Sequence, residues 1–226
     1  GTLLHCFASI RNGDPRSWVD TFTQCAQVLE ARARDASDWL AVVVAWRAAL
    51  FLSDPRTPAA RAACDRIDHA FEQFVKTGDV PLERWRIPLG QAELPAWAST
   101  DLQNAERLLL VIGGGDTYVE DLWFFGGKAA LEHDWPVFMV DLPGQGTTPY
   151  QGLYFGEPTL DGITAVFDAL HAHGFSGEVV LLGWSGGGIF TTKYATIARP
   201  EDRVKALVAS TPIHDTVRMF TQAFPA

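Results

Sequence analysis

Apolar and polar positions change rhythm once along this chain, near residue 80. Over residues 16–36 the apolar side chains Trp18, Phe22, Cys25, Val28 and Leu29 recur at helical spacing. Asp14 and Pro15 precede them as an N-cap and a first-turn proline. Residues 39–52, "WLAVVVAWRAALFL", form a second apolar run behind Ser37, which is placed to cap it. At about 14 residues, with Arg47 inside, this run reads as a buried core helix and not as a membrane span. Thr57 and Pro58 open a third helix that carries Ala62, Ile67, Phe71 and Phe74 and stops at Gly78. Residues 1–80 therefore read as an N-terminal helical domain, with a cap or docking role as its plainest use.

Beyond residue 80 the period shortens. "LERWRIPL" and "AELPAWAS" flank Gly90 and Gln91, the pattern of two strands joined by a tight turn. Continuous apolar runs then follow at 107–112, at 136–141, in "EVVLLGW" and in "VKALVAST". Helical patterns separate them: 118–134, weakened by Gly126 and Gly127; "TLDGITAVFDALHAHG", ending at Gly174; and "GGGIFTTKYATIAR". Apolar strands alternating with helices predict a parallel-rich sheet covered on both faces, so residues 81–226 read as an α/β core.

Composition narrows the function classes. Hydrophobic residues make up 47% of 226, enough for a sizeable core. A net charge of −9 without any basic stripe argues against nucleic acid as a partner. Cys6, Cys25 and Cys64 lack the close spacing of a disulfide framework or zinc site. They suit a reducing compartment, and no secretory leader pattern is visible, so the expected location is cytoplasmic. The chain opens on Gly1, which suggests a processed or cut N-terminus. No cofactor, metal or membrane partner is expected.

The candidate chemistry lies in "LLGWSGGGIF". Gly183-Trp184-Ser185-Gly186-Gly187 fits G-x-S-x-G with a strand before it and a helix after it. In such sheets ligands bind beyond the C-terminal strand ends, where Ser185 falls. The backbone N–H of Gly186 then sits at a helix N-terminus, suited to a developing oxyanion. A glycine-rich turn that merely packs a helix on a sheet would use the same residues. A phosphate loop would need the lysine of G-x-x-x-x-G-K-[ST], which is missing.

Two further loops belong to the same edge. "VIGGGDTYVED" follows the 107–112 strand; a second oxyanion donor is usually drawn from this loop, and Gly115 is preferred over its neighbours. Asp116 and Glu120 read as pocket carboxylates or, alternatively, as an N-cap and a first-turn acid. "DLPGQGTTPYQGLYFGEPTL" carries Tyr150, Tyr154 and Phe155, which line a pocket or simply pack beneath the loop. Trp184 and His214 complete the set of pocket candidates.

The GGGD loop, "DLPGQG" and "GWSGGG", in this order, resemble the α/β-hydrolase superfamily. "VIGGGDTYVED" with "VDLPGQG" and a helical N-terminal domain resembles, more narrowly, the 2,6-dihydroxypseudooxynicotine hydrolase group. That group includes C–C bond hydrolases and fungal pigment-pathway enzymes that shorten polyketide chains. The loop departs from it at Gly115, Thr117 and Tyr118, where related sequences commonly show Leu-Asp-Ser-Thr-Lys. The resemblance implies Ser185 as nucleophile, the Gly186 and Gly115 amides as oxyanion hole, and a small-molecule carbonyl substrate.

It also implies a later acid and histidine. Of the six histidines only His214 follows Ser185, and its neighbour Asp215 cannot readily orient the ring. Glu201 and Asp202 lie past a helix that carries them roughly 20 Å away, on the wrong edge. The resemblance places the acid and histidine after two further strands, on the order of 100 residues past Ala226 on the usual domain scale. The expectation is thus a core lacking its last strands; a non-catalytic relative, or His214 as substitute base, would also explain the gap. Three activities stay open: cleavage of a C–C bond beside a carbonyl in an aromatic ketone or polyketide-like substrate, ester hydrolysis, and a non-hydrolytic cyclase, lyase or binding role. A helical domain attached to a sheet with an open edge is compatible with a homodimer.

Overall fold

The computed structural model describes residues 6–156 and 158–210. The chain divides into two compact units between Pro81 and Leu82. The first is helical: α1 (Pro15–Arg32), α2 (Ala36–Phe51) and α3 (Pro58–Thr77). Asp14 caps α1 by accepting from the N–H groups of Arg16 and Ser17, and Thr57 caps α3 through Ala60. The cap of α2 is Asp35 rather than Ser37: its carboxylate accepts from the N–H of Asp38, and Ser37 already lies in the first turn. Phe22, Val42, Val43, Trp46, Ile67 and Phe71 form the buried centre of this unit. Val28, grouped above with the apolar stripe of α1, faces solvent. Burial pushes the Cys25 thiol up to about 12, helped by a hydrogen bond with Cys6, so it stays protonated near neutrality.

The second unit holds a six-stranded mixed sheet: β1 (Leu82–Leu89), β2 (Ala92–Ser99), β3 (Arg107–Ile112), β4 (Val137–Val140), β5 (Glu178–Trp184) and β6 (Val204–Ser210). Their spatial order is β1-β2-β4-β3-β5-β6. The β1–β2 hairpin and the β2–β4 pair are antiparallel; β4, β3, β5 and β6 run parallel. Helices α4 (Lys128–Glu132), α5 (Pro158–Ala172) and α6 (Gly186–Ala195) connect them. Leu108, Leu110 and Ile112 of β3 join one core cluster with Ile163, Phe167 and Leu170 of α5 and Tyr194 of α6. Period-2 alternation sends Val111 to the other face, against the turn around Gly126. Burial on both faces explains the unbroken apolar runs of β3 and β4, whereas β6 carries an apolar run but is only part-buried, with Val208 exposed.

Two helices depart from the sequence pattern. Residues 118–134 are not one helix but a 3-10 turn (Val119–Asp121), a π turn (Trp123–Gly127) and the short α4. The break falls at Gly126 and Gly127, where the backbone lies so close to the sheet that a Cβ on Gly127 would sit 2.6 Å from the Met139 sulfur. Helix α6 ends at Ala195, short of Arg199. Among the described residues no helix is long and apolar enough to cross a membrane.

Candidate active site

The sheet order alone marks a place for a site. From β3 the chain moves to β4 on one side; from β5 it moves to β6 on the other. Adjacent β3 and β5 are therefore the topological switch point, and the crevice lies outside their C-terminal ends. The register aligns those ends: Ile112 pairs with both Val140 and Gly183, and Trp184 with Ser210. The loops after β3, β4 and β5 consequently meet at one place, around Ser185.

Ser185 is the single residue between β5 and α6, with φ 49° and ψ −118°. Side-chain sterics disfavour that conformation for an L-residue by about 1–3 kcal/mol, so the packing on both sides must hold it. Two glycines allow this. A Cβ on Gly183 would lie 2.7 Å from both the Gly187 carbonyl oxygen and the Gly188 Cα; one on Gly187 would lie 2.6 Å from the Ile112 oxygen. The Ser185 N–H donates to the Ser210 carbonyl at 2.9 Å, tying the corner to β6. Ser185 occupies the N-cap position of α6, yet its hydroxyl caps nothing. A serine kept for local structure would bond the orphan N–H groups of the first turn.

The loop after β3 closes on this corner. A Cβ on Gly114 would sit 3.1 Å from the Ser185 Cβ and 3.5 Å from its Oγ, and one on Gly186 would sit 3.6 Å from the Gly115 nitrogen. Ser185, Gly186 and Gly115 are thus brought together. Among the described residues the Gly115 N–H meets no backbone carbonyl. Asp116 lies exposed in the turn beside them rather than at an N-cap, while Asp121 accepts from the Tyr118 N–H at 3.0 Å. Glu120 is buried in the short 3-10 turn.

The aromatic candidates separate. Trp184 donates its indole N–H to the Phe125 carbonyl at 2.9 Å, with the two rings 5.1 Å apart, so it forms a braced wall beside the serine. Tyr150 is half-buried in the 3-10 turn Thr148–Gln151, and Tyr154 is exposed. Phe155 stacks on Phe190 of α6 at 5.9 Å. His214 lies outside the described residues. His133, His171 and His173 all precede strand starts, at the opposite end of the sheet from Ser185. Asp202 is there too, buried, accepting from the Tyr194 hydroxyl at 2.7 Å and from the Arg199 guanidinium at 2.8 Å.

Sequence reasoning passed over two residues. Phe125 braces Trp184 from within a segment read as plain helix. Gln145, fully buried, spans three loop groups: its Oε1 accepts from the Leu142 N–H at 2.8 Å, and its Nε2 donates to the Gly113 carbonyl and, at 3.0 Å, to the Gly114 carbonyl. A polar residue among the glycines of "PGQG" was the available signal. A concavity of about 910 Å³ in the helical unit, walled by Trp46, Ala49, Ala60 and Ala63, holds no cysteine or histidine and offers no comparable chemistry.

Comparison with known proteins agrees with this fold. The alpha/beta hydrolase fold family model matches residues 106–226. The 20-hydroxy-prefusarin hydrolase FUS2 of Gibberella moniliformis is 31% identical over 166 residues, 65% of this chain and 39% of its own. The structure of AbyA5 covers 99% of this chain and 62% of its own at TM-score 0.80 and 20% identity. That of the 2,6-dihydroxy-pseudo-oxynicotine hydrolase covers 88% and 58% at TM-score 0.64 and 17% identity. At such identities these two structures speak for the fold. The chain spans less than two thirds of each of these proteins. With a family match over more than half its length and the strand–serine–helix corner at the switch point, the chain belongs to the alpha/beta hydrolase fold family.

Proposed function

We propose that this chain supplies the nucleophile and the oxyanion site of a serine-dependent hydrolase. One observation carries the reading: Ser185 is held at φ 49°, ψ −118° at a helix N-terminus, and its hydroxyl makes no cap. Strain of that kind, spent on a hydroxyl that caps no helix, fits a nucleophile and has no use in a packing turn. Ser185 Oγ attacks the carbonyl carbon as a base takes its proton, and the carbonyl oxygen becomes an oxyanion between the Gly186 and Gly115 amides. The tetrahedral intermediate collapses to an acyl-serine, the leaving group departs with the proton, and water then releases the acid. The base is a histidine paired with an acid. His214 is the histidine of this sequence that follows Ser185, and the family resemblance places the pair further along the polypeptide.

Within that chemistry the preferred reaction is cleavage of a C–C bond beside a carbonyl in an aromatic ketone or polyketide-like small molecule. The GGGD and PGQG resemblance supports this substrate class, and the relative named a 20-hydroxy-prefusarin hydrolase supports hydrolysis of a small molecule. The leaving group is then an enolate, so proton delivery governs departure. The test uses the full-length protein. A fluorophosphonate probe should label it and fail on Ser185→Ala; labelling that survives the substitution refutes the assignment. Paired ketone and ester substrates sharing one acyl group then separate the two bond types. Absence of labelled water oxygen in the acid product would exclude hydrolysis.

A further inference from the structure

A run of three glycines is a poor material for an oxyanion site. Each glycine has wide conformational freedom, while a donor contributes to catalysis only when it is already aimed at the developing charge. Gly115 has no side chain, and nothing lies within 4 Å of where its Cβ would be. Its N–H must be aimed from elsewhere.

The Gly114–Gly115 peptide shows from where. In a trans planar peptide the C=O and the following N–H point in opposite directions. The Gly114 carbonyl accepts from Gln145 Nε2 at 3.0 Å and from the Thr117 hydroxyl at 3.1 Å. Holding that oxygen on one side turns the Gly115 N–H to the other. Gln145 also holds the preceding carbonyl, Gly113, so two consecutive peptide planes hang on one side-chain amide. The amide is itself fixed. Its Oε1 is engaged by the Leu142 N–H at 2.8 Å, which leaves Nε2 directed at the two carbonyls. The loop beneath it is braced by Thr148, whose hydroxyl donates to the carbonyls of Leu142 and Gln145 and accepts from the Gly144 N–H at 3.0 Å.

We propose that Gln145 is the positioning residue of the oxyanion site: bound to the Gly113 and Gly114 carbonyls, it points the Gly115 N–H at the Ser185 corner, with Thr117 as its second anchor. The inference rests on the acyl-transfer reading above. Gln145 touches no substrate; it acts through the backbone of the loop after β3.

The experiment measures acylation of the full-length protein by a fluorophosphonate, turnover of p-nitrophenyl butyrate, and affinity for a trifluoromethyl ketone that forms a tetrahedral adduct. Gln145→Met keeps the volume and removes all three side-chain bonds, the two to the Gly113 and Gly114 carbonyls and the one from the Leu142 N–H. It should slow acylation by about 10²-fold, the order lost with one oxyanion donor, with KM changed less than about twofold. Gln145→Glu keeps the acceptor for Leu142 but turns an oxygen toward two carbonyls, and should lose at least as much. Thr117→Val, which preserves shape, should lose about three- to tenfold, the worth of one hydrogen bond. Across the three variants ketone affinity should fall in step with the acylation rate, a correlation that a merely structural role would not produce. Gln145→Met that melts lower yet acylates at the wild-type rate overturns the proposal. Where Gln145→Met does not fold, Thr117→Val decides: slower acylation at an unchanged melting temperature supports it, and a wild-type rate overturns it. Wild-type protein that never labels brings down the acyl-transfer reading and this inference with it. Labelling that vanishes in Ser185→Ala but persists unchanged in Gln145→Met and Thr117→Val overturns this inference alone.

Discussion

The two ends of the β5–α6 unit are built on opposite terms. At the start of α6 the backbone is strained, the serine hydroxyl makes no cap, and among the described residues the amide of Gly115 meets no backbone carbonyl. Past its other end, Asp202 is buried and accepts from the Tyr194 hydroxyl, from the Arg199 guanidinium and from the Arg199 N–H, while Arg199 also reaches Asp168 at 2.7 Å. Tyr194 stacks on Phe167 at 5.3 Å. Among the described residues one end leaves the serine hydroxyl out of any helix cap; the other closes its carboxylate, phenol and guanidinium on one another to hold helix, turn and sheet together. Polar groups left open at a rigid corner indicate chemistry, and the same residue types closed on one another indicate stability. This is why Asp202, a carboxylate close in sequence to the serine, is no candidate for its triad.

Substitutions at the two ends should therefore separate activity from stability. The largest effect is expected from Ser185→Ala: a loss of turnover on the order of 10⁶-fold with an unchanged melting temperature, measured by kinetics and calorimetry on the full-length protein. Asp202→Ala should do the reverse, destabilising by about 2–3 kcal/mol because it removes the carboxylate's bonds to buried Tyr194 and half-buried Arg199, with kcat unchanged; denaturant unfolding checks it. A strong loss of kcat there would erase the contrast.

The pH dependence of stability sharpens it. Burial opposes the charge on Asp202, but the bonds from Arg199 and then Tyr194 prevail, and its pKa is lowered from 3.8. Its contribution is thus present above that value and fades as pH falls through the lowered one. Burial and then the Asp202 bond raise the Tyr194 pKa above its ordinary 10.0, so the phenol contributes below that pH and fades as pH rises through the raised one. Unfolding free energy measured against pH should lose the acid-side slope in Asp202→Ala and keep a reduced alkaline one, because the burial of Tyr194 remains.

A smaller effect tests the strain. Ser185→Gly should be more stable than Ser185→Ala by about 1–2 kcal/mol, since glycine accepts φ 49° without a Cβ clash, while both are inactive. Equal stabilities would mean that the corner is not strained. Tyr154→Ala, on an exposed side chain, should change stability by less than about 0.5 kcal/mol in the same measurement.

Much of this molecule was legible beforehand because the relevant physics is local. Period-2 and continuous apolar runs locate β1 through β6, and the glycines around Ser185 announce a strand–turn–helix corner. Local competition also explains a miss: Asp35 and Ser37 both suit an N-cap, and only the achieved hydrogen bond to Asp38 chose between them.

What the sequence by itself determined is the set of elements and the chemical identity of the corner, since propensity, periodicity and the steric demands of G-x-S-x-G act within a few residues. What only the tertiary structure decided is who meets whom across the chain. Gln145 reads as one more turn residue until the pairing of Ile112 with Val140 lays the loops after β3 and β4 side by side. Its bonds then reach carbonyls 31 and 32 residues away. The break of residues 118–134 and the bond from Trp184 to Phe125, 59 residues apart, arise the same way. Such contacts follow from sheet register and close packing, which no short window of sequence encodes.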